Sequence, residues 1–212
     1  VTELLARGHQ VVNLDQKQPP EPRVPLVFGD VRNRELLHRV FDGADAVIHL
    51  AEIPNTYFPL PANEIFSNNT TAGSAVLQTA ADMKIKRVLY TSSFQVYGAW
   101  GDPIVAPDFL PVDESHPLRP QNVYAAGKVA NEIYARVMCE HFGISVAVIR
   151  LPFVLARPEH RSWIFQRPQS AINEFGTMID VSDAARGYAM AVESNRTGFE
   201  TYNLAGAETM SR

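Results

Sequence analysis

The chain has a single cysteine, Cys139, in 212 residues, so no intrachain disulfide can form. A reducing compartment, the cytoplasm, is therefore the expectation. Cys139 falls in a helical pattern, where a thiol reads as structural rather than nucleophilic. The six histidines show no ligand spacing such as H-E-x-x-H, and one cysteine cannot build a thiolate site, so no metal centre is expected. No apolar stretch approaches the roughly 18 residues that a membrane helix needs, and no secretory signal precedes the first element. Lysine and arginine form no run and the net charge is −4, which argues against a nucleic-acid surface. Repeats and low-complexity segments are absent too. The remaining composition, 46% hydrophobic and 20% charged, suffices for one well-buried domain and at most a small second one.

Short β-branched runs alternate with longer helical patterns, the signature of a parallel sheet built from βαβ units. Strands are expected at Val11–Asp15 (VVNLD), Val24–Phe28, Ala46–Ala51 (AVIHLA), Arg87–Ser92 (RVLYTS), Val146–Leu151 and Thr201–Leu204. Helices are expected at Arg34–Phe41, Ser67–Met83, Val123–Phe142 and Ser182–Glu193. Thr2–Gly8 reads as the end of a helix closed by glycine. A doubly wound sheet of this kind opens with a strand, a glycine-rich turn and a helix. Here the first strand and the glycine-rich loop are missing, which predicts a gap between the VVNLD and AVIHLA strands and marks the sequence as a piece of a longer product. The fold class is thus α/β, a Rossmann-like doubly wound parallel sheet.

The sharpest chemical signal is Tyr124-Ala-Ala-Gly-Lys128, preceded by Ser92-Ser93 at the end of a strand. A four-residue spacing puts the phenol and the ammonium on one helical face. A free tyrosine titrates near 10, so a base working at neutral pH needs roughly three units of depression, or about 4 kcal/mol. A cation one turn away is a source of that stabilisation. Tyr and Lys at this spacing also arise by chance, so the pattern alone decides nothing. His49, inside a buried strand, reads as a core residue. Tyr97, Trp100 and Phe109 either line a pocket or pack their loop.

The context is more specific. Ser92-Ser93-Phe94-Gln95-Val96-Tyr97-Gly98, Arg119-Pro120-Gln121-Asn122-Val123-Tyr124-Ala125-Ala126-Gly127-Lys128, Val47-Ile48-His49-Leu50-Ala51 and Met178-Ile179-Asp180-Val181 occur in order along the chain. Together they resemble the extended short-chain dehydrogenase/reductases, also called the NAD-dependent epimerase/dehydratase family. The resemblance implies a Ser-Tyr-Lys mechanism. Tyr124 would be the general acid/base, Lys128 would tune it and hold the nicotinamide ribose, and Ser93 would hydrogen-bond the substrate oxygen. Asp15 would accept from the adenosine ribose hydroxyls and repel a 2′-phosphate, favouring NAD over NADP. Asp30 and Val31 would flank the adenine, and Leu50 and Ala51 would line the cofactor. It also implies an NAD-binding domain over residues 1–156, a short substrate-binding segment over 157–178 and a return to the first domain over 179–212. Ser93, Phe94, Arg157 and Arg161 are the substrate-side candidates, with His160 and Trp163 nearby. The two long helices resemble those of the family's dimer interface, so a homodimer is expected.

Several departures from the family pattern narrow the substrate. An Asn three residues before the helix glycine is usual; counting back from Gly73 gives Thr70, with Asn69 one residue off. Phe94-Gln95 stands where 4,6-dehydratases carry an acidic pair. Phe153 stands where nucleotide-sugar enzymes commonly carry Asn. Only about twenty residues separate Arg157 from Met178, a reduced region that suits a small substrate. The expectation is hydride transfer at a secondary alcohol carbon of a small sugar, sugar acid or polyol. The alternatives are a nucleotide-sugar epimerase with retained NAD and a non-catalytic NAD-binding sensor. Without the glycine loop, the 212 residues alone are expected to be inactive.

Overall fold

The computed structural model describes residues 1–19, 23–54, 59–98, 105–155 and 177–206. In chain order its elements are α1 (Thr2–Ala6), β1 (Asn13–Asp15), β2 (Leu26–Phe28), α2 (Arg34–Val40), β3 (Ala46–His49), α3 (Ala62–Asp82) and β4 (Arg87–Ser93). A 3-10 turn (Phe94–Tyr97) follows, then α4 (Val123–Phe142), β5 (Ser145–Leu151), β6 (Phe153–Leu155), β7 (Met178–Asp180), α5 (Val181–Glu193) and β8 (Phe199–Asn203). The central sheet has the order β3-β4-β5-β8 and every pairing is parallel. Parallel neighbours need long crossovers, which α3 and α4 supply.

Alternation along β4 shows why the sheet is covered on both faces. Val88 and Tyr90 pack with Leu77 of α3 and Met138 of α4, whereas Leu89 points the other way, to Ile149 and to Tyr188 of α5. That two-sided burial is why the strand reads as one apolar run. α4 keeps its expected bounds because both ends are marked. Asn122 caps it by accepting from the Ala125 amide, and Gly143 closes it in the left-handed region at φ 72°. α3 and α4 approach closely at Gly73, where a Cβ would lie 2.4 Å from the side-chain amide of Asn131.

Two features differ most from the sequence expectation, and a third agrees with it. α3 begins at Ala62 rather than Ser67, with Pro61 at its N-cap position and Glu64 in its first turn. β6 and β7 form a parallel pair, Phe153↔Met178 to Leu155↔Asp180, that no pattern announced. Among the described residues β1 and β2 pair only with each other, so the sheet is interrupted between β1 and β3 where the sequence predicts a gap. Among the described residues no helix is long and apolar enough to cross a membrane.

Candidate active site

The C-terminal end of β4, the buried face of α4 and the loop after β3 converge on one ammonium. Lys128, 3% exposed, donates to the Thr91 carbonyl at 2.5 Å and sits 2.5 Å from Glu52 Oε2. Its Nζ is 5.3 Å from the centres of both the Tyr124 and the Tyr90 rings. Tyr124 precedes it by one turn, so the helical spacing delivers the two together as the sequence predicts. Burial pushes the lysine pKa down, but the Glu52 carboxylate and the Tyr124 hydroxyl outweigh it and hold the group above its ordinary value.

The two serines ending β4 have separate partners. Ser92 donates to Glu132 at 2.5 Å, and that carboxylate is also gripped by Arg150 through Nε at 3.1 Å and Nη2 at 2.6 Å. Arg150 reaches on to the Tyr97 hydroxyl at 2.6 Å, which in turn donates to Asn203. Ser93 instead accepts from the Gln95 amide at 3.2 Å as the cap of the 3-10 turn, which leaves its own hydrogen to donate. Ser92 therefore belongs to a buried ionic scaffold and Ser93 keeps the donor.

Sequence reasoning did not find Glu52. Its side chain is 4% exposed, it accepts from the Tyr90 hydroxyl at 2.9 Å, and His49 Nε2 lies 3.8 Å away. Nothing in its immediate sequence signals a buried carboxylate, because periodicity does not fix where a residue just past a strand points. The segment that carries it is tied down by Asn69, which accepts from the Ile53 amide at 2.9 Å and donates to the Ile53 carbonyl at 3.0 Å. Counting back from Gly73 pointed to Thr70, but the Thr70 hydroxyl donates to the Phe66 carbonyl within its own helix. Asn69, not Thr70, makes the amide contacts to the loop. Asn131 of α4 completes the layer, donating to the Asn69 carbonyl and to the Tyr90 hydroxyl.

The residues expected on the cofactor side lie at or just beyond the ends of β1, β2 and β3. Asp15 ends β1 with an exposed carboxylate, and the Gly29 amide donates to its carbonyl, which brings the Gly29-Asp30 turn beside it. Asp30 is held by Arg32, whose hydrogen bonds keep its carboxyl below the usual range. Val31 packs against the core, Leu50 is 64% exposed and Ala51 is half-buried. A cavity of roughly 280 Å³ opens beside Arg32, Ile53, Asn63, Ser67 and Asn68. The Phe94 ring is buried with Val96 and Tyr97, so only the backbone of that residue is left to meet a substrate. Arg157, His160, Arg161, Trp163 and Trp100 lie outside the described residues.

The chain is similar to known proteins in sequence and in fold. The family model described as NAD dependent epimerase/dehydratase family matches residues 1–166. UDP-arabinose 4-epimerase 1 of Arabidopsis thaliana is 27% identical over 95% of this chain and 48% of its own length. L-arabinose 1-dehydrogenase (NAD(P)(+)) of Haloferax volcanii is 26% identical over 91% of this chain and 77% of its own. A short-chain dehydrogenase/reductase superfamily protein of Agrobacterium tumefaciens, solved with bound NAD, superposes with a TM-score of 0.80 at 23% identity, covering 98% of this chain and 73% of that one. The chain spans about half the length of the epimerases that it matches.

Proposed function

Because the chain belongs to the NAD-dependent epimerase/dehydratase family, we propose that it carries the catalytic side chains of an NAD-dependent oxidoreductase acting on a secondary alcohol carbon of a small sugar, sugar acid or polyol. The observation that carries this reading is the buried Tyr124–Lys128 pair at the end of β4. The residues present fit a dinucleotide. Asp15 offers an exposed carboxylate for ribose hydroxyls and disfavours a 2′-phosphate, so NAD is preferred over NADP. Asp30 and Val31 are assigned to the adenine and Leu50 and Ala51 to the rest of the cofactor, by the family resemblance.

Bound NAD would supply the hydride acceptor for the carbinol carbon, or its reduced form the hydride donor for the carbonyl. Tyr124 takes the hydroxyl proton as the carbonyl forms and gives it back in the reverse direction. The Lys128 ammonium favours the phenolate form, and Ser93 donates to the substrate oxygen. Arg157 and Arg161 are proposed for a substrate carboxylate. Residues 157–178 form the substrate-binding segment between the two parts of the nucleotide-binding domain. Exposed Ile133 and Val137, one turn apart on α4, together with Phe66 on α3, support a homodimer through these helices.

The relatives include both dehydrogenases and epimerases, so an epimerase with retained NAD is the second reading. Net cofactor turnover separates the two. In the full-length protein, NADH absorbance is followed with aldoses, uronic acids, polyols and UDP-sugars. Sustained NADH formation with one of the small substrates supports the dehydrogenase. Interconversion of sugar epimers without net NADH overturns it in favour of the epimerase.

A further inference from the structure

On the reading that Tyr124 is the acid/base, we propose that Glu52 is a positioning residue for the reaction. Its buried carboxylate clamps Lys128 and, by balancing that charge, sets the pH range in which Tyr124 gives up its proton.

The surroundings of the lysine lead to this. In this structure the ammonium donates to the Thr91 carbonyl at 2.5 Å, pairs with Glu52 Oε2 at 2.5 Å, and lies 5.3 Å from the centre of the Tyr124 ring. It is therefore held between a carbonyl and a carboxylate beside that ring. Tyr124 consequently faces a balanced Lys–Glu pair and not a bare cation. An opposite charge within about 4 to 6 Å moves a titration by about one to three units, so the balancing carboxylate returns part of that shift. Glu52 is itself held in place, since the Tyr90 hydroxyl donates to its second oxygen and Asn131 holds that hydroxyl.

The other titratable and charged groups around this cluster do not supply the balance. His49, from β3, is buried and driven to the neutral form, down to about 3, by burial and by the Lys128 charge. Tyr90 of β4 and Tyr188 of α5 are both pushed up by burial and stay neutral. Glu132, one turn beyond Lys128 on α4, is committed to Arg150 of β5. A purely structural role explains the site less well, because buried ion pairs contribute little net stability compared with apolar packing.

The test reads Tyr124 itself, without cofactor or substrate. The phenolate absorbance difference between the full-length protein and its Tyr124→Phe variant isolates this tyrosine from all the others. The same difference is then taken on a Glu52→Gln background. Removing the negative charge is expected to lower the midpoint by about one unit or more. An unchanged or raised midpoint overturns the proposal. Tyr90→Phe, which removes a hydrogen bond to Glu52 but keeps its charge, is expected to shift the midpoint less; an equal shift assigns the effect to packing and overturns the charge argument. Glu52→Asp draws the charge back from the lysine and is expected to lower the midpoint by a smaller amount. It decides the matter if the Gln variant does not fold, with no shift again counting against the proposal. A wild type that titrates as expected but neither forms NADH nor interconverts sugar epimers would refute the proposed activity and leave this inference standing.

Discussion

The side-chain amide of Asn69 bonds twice to the backbone of Ile53, accepting from the amide and donating to the carbonyl. That pair joins α3 to the loop carrying Glu52, and through Glu52 to Lys128. A helix residue thus fixes the position of a carboxylate that lies far from it in sequence.

Asn69→Ala leaves the Ile53 amide and carbonyl without these partners. It is expected to lower unfolding stability by about 2 to 3 kcal/mol, from two lost hydrogen bonds in a part-buried place. Urea denaturation measures this. Thr70→Ala, which removes only a bond within the helix, is expected to change it by under about 1 kcal/mol.

Ser93→Ala and Ser92→Ala are expected to separate chemistry from stability. The first removes the donor to the substrate oxygen and the cap on the Gln95 amide, and should lower kcat on the order of 100-fold at a cost of about 1 kcal/mol of stability. The second takes a donor from the buried Glu132 and should cost about 1 to 3 kcal/mol of stability. Turnover and denaturation curves of the two variants check the assignment together.

His49 gives the stability a pH dependence. Its folded value of about 3 lies below the ordinary 6.5, so the unfolded chain takes up the proton more readily. The histidine's contribution is complete above about pH 6.5 and is lost as pH falls toward about 3, at about 1.4 kcal/mol per unit. Glu52 at 3.8 Å does not reverse this, because burial and the Lys128 charge both favour the neutral ring. Between about pH 7 and about pH 5 the wild type should lose about 2 kcal/mol more than a His49→Gln variant. Denaturation series at the two pH values measure the difference.

The fold was largely legible because its strands are buried on both faces and its helices are long. The residues of α4 announce both a cap at Asn122 and a stop at Gly143, and its bounds agree with the expectation. Three-residue β6 and β7 are too short to carry a period, and their pairing depends on contacts distant in sequence. Tyr124 and Lys128 could be placed together because helical spacing is local. Glu52 could not, since its burial depends on Asn69, Tyr90 and Lys128 arriving from three other elements. Asn69 was missed by one position, because the count started from Gly73, a residue that faces Asn131 across the helix pair.

The most direct test of the central claim compares the full-length protein with its Tyr124→Phe variant. NADH formation is followed with whichever sugar, uronate or polyol the wild type oxidises, alongside the affinity of each for NAD. The account predicts a fall in kcat of at least about 100-fold with NAD affinity largely kept, because the variant loses only the proton-transferring oxygen. A variant that turns over at the wild-type rate would contradict it.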